Sequence, residues 1–307
     1  MPTESSTVNW LLRGDPAIRW QTLRDLAGAP AEQYAPERAE VATRGWGAEL
    51  LARQHDDGQW RVARAEWPLA PTLYTLQLLR HCGLDPRSEQ ARRAVARVQA
   101  GVRWEFWGNA PFFDGEVEPC INGGVLAVGA YFGAASSKLV DRLLSEQLAD
   151  GGWNCEAENG SVRSSFHTTI CVLEGLLEYE RSVQAAPAVT EARLRAEEYL
   201  LERRLLRRAS TGEVIDTYWT RFPFPAYWRY DVLRALEHLR AAGRGRDPRL
   251  DEPLDIVRRR RRKDGRWSLG EPYSFDHHGI ALDPGRGKPS RWVTLRAARV
   301  LERFGGG

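Results

Sequence analysis

Only four cysteines occur in the 307 residues (Cys82, Cys120, Cys155 and Cys171), and no two form a C-x-x-C pair. That scarcity excludes a dense disulfide framework. It points to a reducing, cytoplasmic setting in which thiols are core residues or ligands. No run approaches the ~18 apolar residues of a membrane span. The opening "MPTESSTVNW" has neither a basic n-region nor an apolar h-region, so no signal peptide is expected. Peripheral contact with a membrane stays open. A charge excess is also missing: 44 basic residues face 41 acidic ones, a formal net charge of +3. That balance gives no reason to expect a nucleic-acid partner, and the basic run Arg258–Lys263 reads as a solvated helix face. Almost no segment alternates with period two, so little sheet is expected. Arginine far outnumbers lysine, a usage that fits a high-GC bacterial genome.

What the chain does have is tryptophan, twelve in all. Trp is large and carries one N–H to satisfy, so this many suggest repeat anchors or aromatic-lined cavities. A repeat is present. "QHDDGQW" (residues 54–60), "QLADGGW" (147–153) and "RRKDGRW" (261–267) share one pattern, and "QAGVRWEFW" (99–107) and "RRASTGEVID" (207–216) are weaker copies. The spacing is about 45 to 57 residues, in the range of paired-helix units. Each unit reads as a charged amphipathic helix, a Gly turn, a loop and then a more apolar helix. The charged helices include "PERAEVATRGWGAELLARQ", "SKLVDRLLSEQLA" and "LDEPLDIVRRRRR". The apolar ones begin at "DPAIRW", "APTLYT", "EPCING", "SSFHTT", "AYWRYD" and "PSRWVT". The first and last of these share a P-x-x-R-W-x-T-L-R pattern in loose form, so the ends are expected to meet. The prediction is an all-α fold: one α/α toroid over residues 1–307, with about six apolar helices inside and six charged ones outside.

The Gln, Asp-Gly and Trp pattern at this period resembles the squalene cyclase and protein prenyltransferase superfamily of terpenoid cyclase-like proteins, whose repeats are called QW motifs. The resemblance covers most of the chain. It implies an α/α toroid in which Gln54, Trp60, Gln147, Trp153 and Trp267 tie neighbouring units together. Fold alone does not give function. The D-x-D-D acid of class II terpene cyclases is missing from this sequence. Prenyltransferases of the family bind zinc through an acidic residue, a nearby Cys and a distant His.

Aligning the six apolar helices on a Thr-Leu-like step predicts Cys120 and His167 at one height on adjacent inner helices. Cys155 lies just beyond a QW turn, where the other copies have Val62 and Leu269. Two thiolates and an imidazole make a zinc set with an open fourth position. Carboxylates at Asp114, Glu116 or Glu118 would supply a further ligand or a hydrogen-bond partner for His167. Three readings stay open: zinc on Cys120, Cys155 and His167; a metal-free cavity with His167, Asp231 and Glu118 as catalytic groups; and a purely structural trio. The same alignment predicts Arg19, Arg229 and Arg291 on one ring, flanked by Trp20, Trp228 and Trp292. With Tyr74 and Asn122 they would bind a substrate with an anionic group, unless acids satisfy them internally. "FDHHG" (275–279) reads as a surface loop. No nucleotide cofactor is expected.

These residues suggest a cyclase- or transferase-like enzyme for an apolar, amphipathic or isoprenoid-like substrate. The alternative is a non-catalytic toroid that binds an amphipathic ligand or a partner protein. A carbohydrate enzyme would need paired cavity carboxylates, and the inner helix starts offer mainly Asp231.

Overall fold

The computed structural model describes residues 4–271 and 276–305. The chain runs α1 (Glu4–Leu11), α2 (Pro16–Asp25), α3 (Ala31–Glu40), α4 (Gly45–Ala52), α5 (Ala70–Cys82) and α6 (Glu89–Gly101). A hairpin of β1 (Arg103–Trp104) and β2 (Ala110–Pro111) follows. Then come α7 (Pro119–Tyr131), α8 (Ser137–Ser145), α9 (Phe166–Ser182), α10 (Pro187–Glu202), α11 (Val232–Ala241), α12 (Asp251–Arg259) and α13 (Arg291–Phe304).

Six of these helices form the inner ring: α2, α5, α7, α9, α11 and α13. Each touches the next, and α13 returns to α2. Nearly every residue of α5 and α7 is buried, as expected for helices packed on all sides. The helices α1, α4, α6, α8, α10 and α12 precede them in the six pairs. α8 and α12 bury one stripe each, Leu139, Val140 and Leu143 in one and Pro253, Leu254 and Val257 in the other. The ends meet as expected: Arg299 on α13 bonds Gln21 and Asp25 on α2, and Thr7 on α1 donates to the Gly265 carbonyl.

The three Asp-Gly-x-Trp turns show how units are joined. The Gln54 amide donates to the carbonyls of Gly58 and Ala94, and Gln147 donates likewise to Gly151 and Ala192. The second carbonyl in each case belongs to the next outer helix. In the third copy Arg261 donates to the Gly265 carbonyl, so a guanidinium replaces the amide there. The indole N–H of Trp60, Trp153 and Trp267 bonds a carbonyl ten residues earlier, at Leu50, Leu143 and Val257. Their backbone N–H groups bond the hydroxyls of Thr72, Thr169 and Thr294 on the following inner helices. Each buried indole removes on the order of 200 Å² from water, about 5 kcal/mol of transfer free energy.

Three expectations need correction. The segment expected as one helix over 36–54 is two, α3 and α4, broken at residues 41–44. Second, α11 starts at Val232, not near Ala226, because the Asp231 carboxylate caps it by accepting the Arg234 N–H. Third, "FDHHG" is not a surface loop where it is described. His277 is 1% exposed and His278 5% exposed, with His277 packed against the rings of Tyr74 and Tyr227. Phe275 lies outside the described residues.

Candidate active site

The N-terminal ends of α7 and α9 open on a cavity of about 590 Å³. Its walls are aromatic: Trp67, Tyr74, Trp104, Phe106, Trp107 and Trp228. Trp104 stacks between Trp67 and Phe112. At the tip of the β1–β2 hairpin, Phe106 is 89% exposed at the mouth.

Glu118, Cys120 and Cys155 meet in this cavity, and their ligand atoms lie within 4.8 Å of one another. Local sequence explains the meeting. Glu118 is the residue before α7, Pro119 opens the helix and Cys120 follows. The loop ahead is clamped by Asn122, whose side chain accepts the Glu116 N–H at 2.8 Å and donates to the Glu116 carbonyl at 2.7 Å. Arg142 adds bonds to the carbonyls of Glu116 and Val117. Gly115 sits at φ 80°, and a Cβ there would come 2.4 Å from the Asn122 oxygen. Cys155 opens a short 3₁₀ turn whose cap is Asn154. Its sulfur lies 3.4 Å from the Thr168 hydroxyl, and the Cys120 sulfur lies 3.5 Å from Glu118.

The two thiols are electrostatically unequal. The Cys120 thiol is held well above its usual range, first by its hydrogen-bond contact with Cys155 and then by burial. Cys155 is held below its usual range, first by that bond, and also by bonds from Thr168 and the Cys120 N–H, against burial. Two sulfurs and one carboxylate suit zinc, with a fourth position open.

His167 lines the same cavity but does not join this group. Its Nδ1 accepts the Tyr230 backbone N–H at 2.8 Å. The neutral ring therefore carries its proton on Nε2, and neither nitrogen has a lone pair free for a metal or for base chemistry. Burial, then Arg234 and Arg229, lower its pKa to about 4. His167 is a neutral Nε2–H donor, not the predicted ligand or general base.

The predicted arginine ring does not form. Helix caps set the inner-helix register, and Thr294 takes the place of Thr72 and Thr169, not that of Thr75 one turn on. Arg291 thereby shifts by three positions, and Arg229 precedes α11 altogether. Arg19 is held by Glu37 and Glu40 at 2.6 Å each. Arg291 lies over Trp10, and Arg229 over Trp228. Asp231 is a buried helix cap and Asn122 a loop clamp; neither lines the cavity. Of the flanking tryptophans, Trp228 lines it, whereas Trp20 and Trp292 line a second cavity at the other ends of the inner helices. Tyr74 borders both.

Sequence reasoning missed Glu66 and Trp67, in the loop that enters α5. Glu66 accepts the Trp228 indole N–H at 3.4 Å and lies 3.7 Å from His277. An acid beside a Trp in a loop that delivers an inner helix, the place Cys155 occupies two units on, was the available signal.

No helix among the described residues is long and apolar enough to cross a membrane. No protein-family model and no curated protein matches the chain. Among solved structures, a protein from Actinoplanes aligns at TM-score 0.47 and 17% identity over 99% of this chain and 100% of that one. The type II terpene cyclase MstE from Scytonema aligns at TM-score 0.46 and 19% identity over 97% and 95%. A variant of that cyclase in complex with geranylgeranyl dihydroxybenzoate aligns at TM-score 0.44 and 18% identity, over 97% and 94%. At these scores the likeness carries no residue roles into this chain.

Proposed function

We propose that the chain is a small single-toroid enzyme of cyclase or transferase type that takes an apolar, isoprenoid-like substrate. Zinc would be held in its cavity by Cys120, Cys155 and Glu118. One observation carries the reading: three ligand atoms within 4.8 Å of one another in an aromatic-walled space of about 590 Å³. When bound, zinc supplies a Lewis acid that polarises, or lowers the pKa of, a group in its open position.

The chain's own residues have separable tasks. Trp67, Trp104, Trp107 and Trp228 exclude water from an apolar chain, and aromatic faces favour a cationic centre. His167 offers its Nε2–H to an oxygen of the substrate. Arg103, on β1, is the arginine in the lining and the residue that would meet an anionic end.

The test incubates zinc-loaded protein with labelled farnesol, geranylgeraniol and their diphosphates, with products read by mass spectrometry. Turnover that falls about tenfold or more in Cys155→Ser, with affinity by tryptophan quenching retained, supports the reading. Tight binding with no product from the zinc-loaded wild type replaces it with a non-catalytic toroid for an amphipathic ligand.

A further inference from the structure

The second cavity has a different chemistry. It holds about 290 Å³ at the C-terminal ends of the inner helices, and eight arginines line it against three glutamates. The glutamates are engaged: Glu174 by Arg234, Glu178 by Arg80, and Glu237 by Arg240 and Arg299. Arg24 is paired with Asp25. Arg38, Arg181 and Arg296 make no ion pair with a carboxylate among the described residues.

Arg38 donates to the Gly83 carbonyl and the Tyr131 hydroxyl, and Arg181 to the Ala241 carbonyl. Those two therefore have helix-end carbonyls to answer their charge. Arg296 has none. It is 8% exposed, lines the cavity, and makes no hydrogen bond or ion pair among the described residues. Its guanidinium carbon lies 5.9 Å from the Phe224 ring centroid, and buried Asp231 and Glu237 feel its charge without pairing with it. A confined guanidinium with unfilled donors is costly unless an anion completes it. Arg181 reports the same positive field: its pKa is lowered by burial and, against Glu178, by Arg80, Arg240 and Arg24.

We infer that this cavity is a binding site for a small multivalent oxyanion of the diphosphate class, with Arg296 as its central contact and Arg38 and Arg181 at its sides. Guanidinium forks match phosphoryl oxygens bidentately, and several around one centre favour a multiply charged anion over a chloride or a carboxylate. The site is separate from the Cys120 cavity except at Tyr74, which lines both and packs on Tyr227 and His277. This inference does not rest on the zinc reading.

Isothermal titration of the purified chain with sodium diphosphate, and in parallel with sodium phosphate, tests it. The expectation is saturable diphosphate binding, weaker for phosphate, that raises the melting temperature. Arg296→Gln is expected to weaken it about tenfold or more, and Arg38→Gln by a smaller factor. Cys155→Ser and Arg19→Gln, both outside the cavity, are expected to bind as the wild type does. Arg296 makes no ion pair, so Arg296→Gln is expected to fold, with at most a modest fall in melting temperature as Asp231 and Glu237 lose its field. If Arg296→Gln nevertheless fails to fold, Arg38→Gln carries the comparison. Farnesyl diphosphate separates the sources. Farnesyl diphosphate that displaces bound inorganic diphosphate identifies a lipid diphosphate; farnesyl diphosphate that leaves it in place identifies a free oxyanion. No diphosphate binding at millimolar concentration, or equal binding by the wild type and both arginine variants, overturns the inference.

Discussion

The backbone N–H of Tyr230 donates to Nδ1 of His167 across 2.8 Å. This bond joins the N-terminal end of α9 to the segment that leads into α11, and it decides the chemistry of the ring. A histidine that accepts at Nδ1 presents Nε2–H to the cavity. Replacing it by Asn keeps a short acceptor, and replacing it by Ala leaves the amide unanswered. His167→Ala is expected to lose about 1–3 kcal/mol in urea unfolding, and His167→Asn less than half of that. Equal losses would contradict the acceptor role.

Each of the three Asp-Gly-x-Trp turns is anchored by a threonine on the next helix. Thr169→Val removes the acceptor of the Trp153 N–H, a bond of 3.1 Å at a fully buried site. The expected loss is about 1–3 kcal/mol by chemical denaturation, with Thr169→Ser close to the wild type.

Gly115 controls the position of Glu118. Its φ of 80° and the 2.4 Å approach to Asn122 leave no room for a methyl group. Gly115→Ala is expected to cost about 1–3 kcal/mol and to weaken metal affinity more than a distant substitution of equal cost. Metal titration at matched folded fraction checks this.

Stability should fall on the acid side. Burial is the main cause that lowers His278 to about 3; Asp276 opposes it and His277 reinforces it. The unfolded chain takes up that proton near pH 6.5. The contribution is complete above pH 6.5 and is lost as pH drops toward about 3, at about 1.4 kcal/mol per pH unit. His278→Gln is expected to flatten the unfolding free energy between pH 6 and about 4 by roughly one proton's worth. An unchanged slope would contradict a buried neutral His278.

The ring of paired helices was legible because its signals are local and repeated: apolar helices, Gly turns and a Trp at fixed offsets. The shared height of Cys120 and His167 was legible too, since each stands two residues past its helix cap, Glu118 and Ser165. The arginine ring failed because Thr-Leu pairs are a weak register mark. Asp231 and Ser290 fix where α11 and α13 begin, and those caps displace Arg229 and Arg291. The partners of Arg19 come from α3, a helix outside the repeat, so no alignment of units would find them. The burial of His277 and His278 is a tertiary fact with no periodic signature. The second cavity does leave a trace in the sequence: Arg234, Arg296 and Arg299 are charged residues on buried inner helices, where a repeat alone predicts apolar ones.

The most direct test is the metal content of the purified chain and its variants. The proposed zinc site predicts about one zinc per chain, lost in Cys120→Ser and Cys155→Ser, weakened in Glu118→Gln, and kept in His167→Asn. A folded wild type that binds no zinc on titration, or zinc that is retained in both cysteine variants and lost in His167→Asn, would contradict it.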